Sequence, residues 1–360
     1  MAIDKVVSNS NTFRNEFING DMNISQKSTS YALSTGADQF PDRWRQGAIY
    51  DTSAPSAVFN ITQSTDVPSG EGFVKSMKLD CTTAQGTMGV LQGYGTQQRI
   101  EAQNLTHLAF GTSKAKNLAL SFWIKSNKTG VYGIEIRSHD AARQFCQSYT
   151  IDSANTWEKK TISIPGDTAG SGIANDNGLG FWVRWFWAAG ANIDGATLGS
   201  WGANATTIAP TNQVNLADST SNELYMTGCQ LEAGTTASDF EFDPVDVSLA
   251  RCQRYYQLIG SGSDQPIGLG TYYNSSTVYV PSKLSPPMRT TPSVDQVTGT
   301  NHYIIYRNGG NDPFNSLAFD VGNTMFVDIN NGDSVSGTAG QSGMVRLHNS
   351  SSKLGFKAEL

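Results

Sequence analysis

The feature that most restricts this chain is a two-residue alternation of apolar and polar side chains that recurs along its length. From Leu179 to Ala189, Phe181, Val183, Trp185 and Trp187 fall on one side, and Trp182, Arg184 and Phe186 on the other. Over 118–125, Leu118, Leu120, Phe122 and Ile124 oppose Ala119, Ser121, Trp123 and Lys125. Over 131–137, Tyr132, Ile134 and Ile136 point inward, and Glu135 and Arg137 outward. A period of two is the strand period, whereas a helix repeats every ~3.6 residues. Turn-forming clusters of Asn, Gly, Pro and Asp at 126–130, 165–167 and 175–178 separate these stretches. Short strands with turns between them and no helical pattern predict an antiparallel sandwich. Composition agrees. Charged residues make up only 16% of the chain and glycines number 36, whereas helical surfaces are rich in Glu, Lys and Arg.

A single hydrophobic core stops growing near ~250–300 residues, so a chain of 360 predicts two domains. Residues 1–16 are rich in Asn and Ser and read as an N-terminal attachment arm. Residues 17–243 read as an antiparallel β-sandwich of the jelly-roll kind. Asp243-Pro244 then fits an N-cap followed by Pro at the first helical position, which predicts a short linking helix over 244–252. Residues 253–360 read as a smaller β-rich domain. It opens at Arg254-Tyr255-Tyr256-Gln257-Leu258, with strands near 278–280, 303–306, 317–321 and 325–328. The alternating terminal stretch 354–360 is expected to complete a sheet. The fold class is therefore all-β.

Several functions lack material. A net charge of −6 gives no basic footprint for nucleic acid. No stretch reaches the roughly 18 apolar residues of a membrane span, and the polar first 23 residues carry no signal-peptide core. Cys81, Cys146, Cys229 and Cys252 show no CxxC spacing, so buried free thiols are expected. The four histidines are dispersed and no HExxH occurs; neither a metal nor a cofactor is expected. Asn19, Asp21, Asp239, Glu241 and Asp243 offer oxygen ligands for calcium, but without EF-hand spacing solvated carboxylates are the simpler reading. Glu101, Glu135, Glu158 and Glu232 fit a glycosidase pair by composition only, and no GxSxG motif is present. Non-catalytic binding is the expectation.

If the alternating strands pair in one sheet, Trp123, Lys125, Glu135, Arg137, Trp182 and Arg184 share its outward face. Aromatic planes beside charged hydrogen-bonding groups suit a sugar, though Trp and Arg are equally enriched in subunit contacts, and ordinary packing is a third reading. Trp201, alone among small residues over 195–203, is either a binding tip or a side chain folded back over the sheet. Trp123, Arg137, Trp182, Arg184 and Trp201 are thus the candidate ligand-binding residues.

Several segments together resemble a group of tailed-bacteriophage tail fibre and minor structural proteins. They are Phe17-Ile18-Asn19-Gly20-Asp21-Met22-Asn23-Ile24-Ser25-Gln26, Asp42-Arg43-Trp44 and Leu120-Ser121-Phe122-Trp123-Ile124-Lys125-Ser126. Asn155-Thr156-Trp157-Glu158-Lys159-Lys160-Thr161, Gly228-Cys229-Gln230-Leu231-Glu232 and Leu249-Ala250-Arg251-Cys252-Gln253-Arg254-Tyr255-Tyr256 belong with them. So do Pro286-Pro287-Met288-Arg289 and Phe356-Lys357-Ala358-Glu359-Leu360. The resemblance runs from about residue 13 to the end. It implies a first unit similar to a carbohydrate-binding-module jelly roll and a virion protein made in the host cytoplasm. It also implies a homotrimer that contacts other virion proteins through its N-terminal arm and host-surface polysaccharide elsewhere. No long anchoring segment stands before residue 13, so a short fibre or a docked accessory protein is the expected form. An architectural capsid or tail component and, less so, a polysaccharide-degrading spike are the competing expectations.

Overall fold

The computed structural model describes residues 14–33, 38–48, 56–331 and 335–360. The chain divides after Pro244 into two compact units. The first carries β1 (Ser30–Leu33), β2 (Asp38–Gln39), β3 (Arg45–Ala48), β4 (Val58–Ser64), β5 (Ser76–Thr83), β6 (Gly93–Glu101) and β7 (Leu118–Ser126). It continues with β8 (Gly130–Ser138), β9 (Arg143–Ile151), β10 (Glu158–Ile164), β11 (Leu179–Ala189), β12 (Trp201–Ala203) and β13 (Glu223–Ala233). One sheet runs β1-β4-β5-β13-β7-β10 and the other β12-β9-β8-β11-β6-β3-β2. The ladders are antiparallel throughout. The expected all-β sandwich is thus what forms.

The alternating residues explain the closure. Leu118, Leu120, Phe122 and Ile124 of β7 meet Phe181, Val183, Trp185 and Trp187 of β11 in one core. Phe122 and Trp185 touch edge to face across the two sheets, with centroids 5.7 Å apart. Phe17 and Trp44 complete an aromatic trio with Trp185, centroids 5.5 to 5.7 Å apart. Large aromatics bury about 150–250 Å² each, so this trio anchors the N-terminal segment to the second sheet.

That segment is docked by polar bonds as well. The Gln98 side chain accepts from the Ile18 amide and donates to the Ile18 carbonyl. Gly20 is forced to be glycine, because a Cβ there would stand 2.1 Å from the Cys229 carbonyl oxygen. The Asn15 side chain accepts from Phe17 and Leu231 amides and donates to the Cys229 carbonyl, and the Glu16 amide bonds Leu231. Asn15 and Glu16 therefore belong to the sandwich rather than to the predicted arm 1–16. Residues 1–13 of that arm lie outside the described residues.

The second unit begins with α1 (Val245–Gln253), the expected short helix. A three-stranded sheet follows the order β14 (Tyr256–Ser261), β23 (Lys353–Lys357), β17 (Ser293–Val297). A seven-stranded sheet is built from β15 (Pro266–Asn274), β16 (Thr277–Lys283), β18 (Tyr303–Arg307), β19 (Gly310–Phe314), β20 (Leu317–Gly322), β21 (Phe326–Asn331) and β22 (Ser342–Leu347). Leu354 and Phe356 of β23 share a core with Tyr303, Ile305, Val345 and Leu347 of the larger sheet. The terminal strand therefore closes its sheet, and it does so between β14 and β17. Among the described residues no helix is long and apolar enough to cross a membrane. All four cysteines are buried free thiols.

Candidate functional site

The side of β11 that turns away from the core carries Trp182, Arg184 and Phe186. Cross-strand register extends this face into two rows. One row reads Arg45, Gln97, Arg184, Glu135, Cys146 across β3, β6, β11, β8 and β9. The next reads Arg99, Trp182, Arg137, Gln144. Four guanidinium groups and one carboxylate thus share adjacent rows of one sheet.

The bottom of this arrangement is an ion-paired layer. Arg184 and Glu135 are fully buried, and the Arg184 Nη2 pairs with Glu135 Oε2. The other oxygen of Glu135 accepts from Arg137 Nε at 3.0 Å and forms an ion pair with its Nη2 at 2.9 Å. Above it, the Trp182 ring lies 4.1 Å from the Arg184 guanidinium carbon and 4.6 Å from that of Arg99. The Trp182 indole N–H donates to Gln97 Oε1. Guanidinium over an indole face is a favoured cation–π geometry, so Trp182 spaces the arginines. Burial, and then the neighbouring charges of Arg45, Arg184 and Arg43, push the Arg99 guanidinium down to about 10.

The edges of the face are closed to different degrees. Phe186 is sealed beneath Ile193, Ile208 and Ala209. Gln144 ties the segment around 205–207 to β9 by donating to the Thr207 carbonyl and accepting from the Ala205 amide. Arg45, Arg99, Arg137 and Trp182 stay partly exposed, the Arg137 side chain to only 14%.

The structure regroups the predicted residues. Trp123 and Lys125 do not join Arg137, Trp182 and Arg184, because β7 lies in the first sheet, between β13 and β10. The Lys125 ammonium sits 4.3 Å from the Tyr225 ring and pairs with Asp66, which also accepts from the Trp157 indole at 3.0 Å. Trp123 and Phe73 flank Gly228, whose positive φ of 62° accompanies a register shift in β13. Arg184 is on the expected face but beneath its surface, where it positions Glu135 and Trp182 instead of meeting solvent. Trp201 folds back: β12 pairs with β9, and its ring packs on Phe110, Phe145 and Phe181 at 5.5, 5.8 and 6.4 Å. Its indole N–H donates to the Pro165 carbonyl at 2.6 Å.

Arg45, Gln97, Arg99 and Gln144 escaped the sequence reading. The β6 strand hides its alternation because its core side is polar too. Thr96 accepts from the Trp187 indole at 3.0 Å, and Gln98 holds Ile18. The signal that was there is Arg43-Trp44-Arg45, in which a core tryptophan stands between two basic residues.

The four glutamates weighed for catalysis are spread over both sheets. Glu232 accepts from Ser238, Glu158 from the Asp152 and Ser153 amides, and Glu101 from Gln103. Glu135 serves the arginines. Of the calcium candidates, the Asn19 side-chain amide donates to the Ile24 and Asp42 carbonyls, and Glu241 accepts from the Asn15 amide; burial, with Asp243 nearby, raises the pKa of Asp21.

No family model matches the chain, and no curated protein does. Matching solved structures include the enzymatically active domain of tailspike protein 4 from bacteriophage CBA120, at 13% identity and a TM-score of 0.31. That match covers 61% of this chain and 22% of the tailspike domain, so this chain spans less than a quarter of its length. A family 11 carbohydrate-binding module from Clostridium thermocellum, solved with a mixed-linked tetrasaccharide, matches at 17% identity and a TM-score of 0.27. The match covers 57% of this chain and all of the module. A TmCBM61 structure with β-1,4-galactotriose matches at 10% identity and 0.28, covering 61% and 99%. At such TM-scores these likenesses carry no functional weight for this chain.

Proposed function

We propose that this protein is a bacteriophage virion component, a tail fibre or a docked accessory protein, that binds host-surface glycans without chemistry. The observation that carries this reading is the partly exposed group Arg45, Arg99, Arg137 and Trp182 on the outward face of the second sheet, built on the buried Arg184–Glu135 layer. Guanidinium forks and side-chain amides are the donors that hydroxyl-rich ligands need. The engagement of Glu135 by two arginines supports binding over hydrolysis, because hydrolysis asks for a pair of carboxylates about the scissile bond. The sequence resemblance supports the virion assignment, with residues 1–13 as the link to other virion proteins and a homotrimer as the assembly. A glycan array tests the reading. The parent protein is expected to bind, with Trp182→Ala and Arg137→Ala weakening binding. Unchanged binding by both variants removes this face from the site.

A second reading, an architectural virion protein whose faces are subunit contacts, is favoured by the second unit. Leu269, Tyr273, Val321 and Phe326 are each more than half exposed there. Sedimentation showing a stable monomer at micromolar concentration argues against both the trimer and this reading. A density map of the intact particle locates the protein on it.

A further inference from the structure

Resting on the assembly proposed above and naming its surface, we infer that the outer face of the second unit's seven-stranded sheet is covered by another copy of this chain, with Arg346 of one copy set against Asp328 of the next. An antiparallel sheet with one side in water carries polar residues on that side. Here Val280, Val327, Ile329 and Val345 fill the core side, yet the outer side is apolar as well. Tyr306, Met344 and Leu269 stand in register across β18, β22 and β15. Val321 of β20 pairs with Asp328 of β21, two residues from Phe326. Leu269, Val321 and Phe326 are each more than half exposed. Contiguous apolar surface of this kind marks an interaction site.

Charge selects the partner. Arg346 and Asp328 belong to this same outer face, because their strand neighbours Val345, Leu347, Val327 and Ile329 point into the core. Arg346 lies against the Tyr306 ring, 5.0 Å from its centroid. Its Nε and the Asp328 Oδ1 are buried, and neither has a hydrogen-bond partner among the described residues. Burial, and then the Asp320 charge, push the Asp328 carboxyl up against the pull of the Ile329 amide. Each charge is thus partly withdrawn from water with no counter-charge beside it among the described residues, an arrangement that costs free energy. Strands β15 and β16 separate β22 from β21. Three strand spacings, about 14 Å, therefore keep the two charges apart within one copy. A second copy brings the same two charges in the opposite order. Turned about a two-fold axis along the strands, or placed next in a ring of three, it lays its acidic half, β21 and β20, on the basic half, β18 and β22. Lys283, paired with Phe326 at the end of β16, is the one cation among the described residues of β16, β21 and β20.

Sedimentation of the full chain across micromolar concentrations tests this, with folding checked by thermal melting. The parent is expected to associate. Leu269→Asp, Arg346→Asp and Asp328→Arg are each expected to weaken association by about tenfold or more, as a charge enters the apolar face or like charges are opposed. Leu269 is open to solvent, so its variant is expected to melt like the parent. Mixing Arg346→Asp with Asp328→Arg sets opposite charges together again and is expected to restore association, a result that no misfolded variant gives. A pair of copies is restored fully by mixing, whereas a ring of three keeps one mismatched contact, so the mass reads the copy number. A parent that stays monomeric overturns this inference and the proposed trimer together, while glycan binding is read separately on the array. A parent oligomer matched by all three variants overturns this inference alone, because assembly then uses another surface. Disruption by Leu269→Asp with no restoration on mixing overturns the pairing of Arg346 with Asp328.

Discussion

Replacing Glu135 with Gln tests how the second sheet carries its buried charge. Glu135 and Arg184 have no exposed side-chain surface, and Arg137 shares the same carboxylate at 2.9 Å. The substitution keeps the shape and removes the charge that faces two guanidinium groups. Breaking a buried ion pair by removing one partner costs about 3–5 kcal/mol, because the other charge stays buried. Arg137 keeps some contact with solvent and Arg184 also lies against the Trp182 ring, so the lower end, about 3 kcal/mol, applies here. For a unit of this size, at about 2–4 °C per kcal/mol, the melting temperature should fall by about 6–12 °C. Arg184→Met should cost less, about 1–2 kcal/mol, because Glu135 keeps Arg137. In the Arg184→Met background the added cost of Glu135→Gln should shrink below about 1 kcal/mol, since the buried cation is gone. Urea and thermal unfolding of the four proteins, followed by tryptophan fluorescence, closes the cycle. If Glu135→Gln melts within a degree of the parent, or the two substitutions add, the pair does not bear on stability and the reasoning fails.

Three further outcomes are expected. Gly20→Ala should destabilise the first unit by about 2 kcal/mol or more through overpacking, because its methyl group meets the Cys229 carbonyl oxygen; urea midpoints with an unchanged slope would show it. Trp201→Ala should cost about 2 kcal/mol from the lost aromatic packing and leave glycan affinity unchanged, whereas a lost affinity with parental stability would restore Trp201 as a binding tip. His107 pairs with Glu16 at 3.1 Å, and the hydrogen bond it donates to the Glu16 carboxylate raises its pKa. A raised folded pKa stabilises below the unfolded value near 6.5, and the gain is lost as pH rises through the folded pKa. On a ring this exposed the gain is under about 1 kcal/mol. His107→Gln should therefore flatten the pH dependence of melting across that window and leave stability above it unchanged.

The lesson from particular strands is one of range. Leu118–Ser126 and Leu179–Ala189 are legible from alternation alone, because a strand's faces are set by its own backbone pleat. The helix at Val245–Gln253 is legible from Asp243-Pro244, since capping is local. The all-β class followed from the same local signals. What alternation leaves open is which sheet a strand enters. Trp123 and Trp182 are both outward residues of alternating strands, yet they lie on opposite outer surfaces of the sandwich. That choice rests on pairings between residues far apart in sequence, such as β7 with β13 and β6 with β11, which no local pattern encodes. Strand β6 shows the complementary limit. Its core face carries Thr96 and Gln98, which are tolerated there because the Trp187 indole and the Ile18 backbone need partners. Hydrogen-bond need, not hydropathy, wrote that strand, so Arg99 beside it gave no signal. The residue chemistry of the candidate face was therefore in the sequence from the start, whereas its assembly into a row of arginines over a buried glutamate was decided only when distant strands came together.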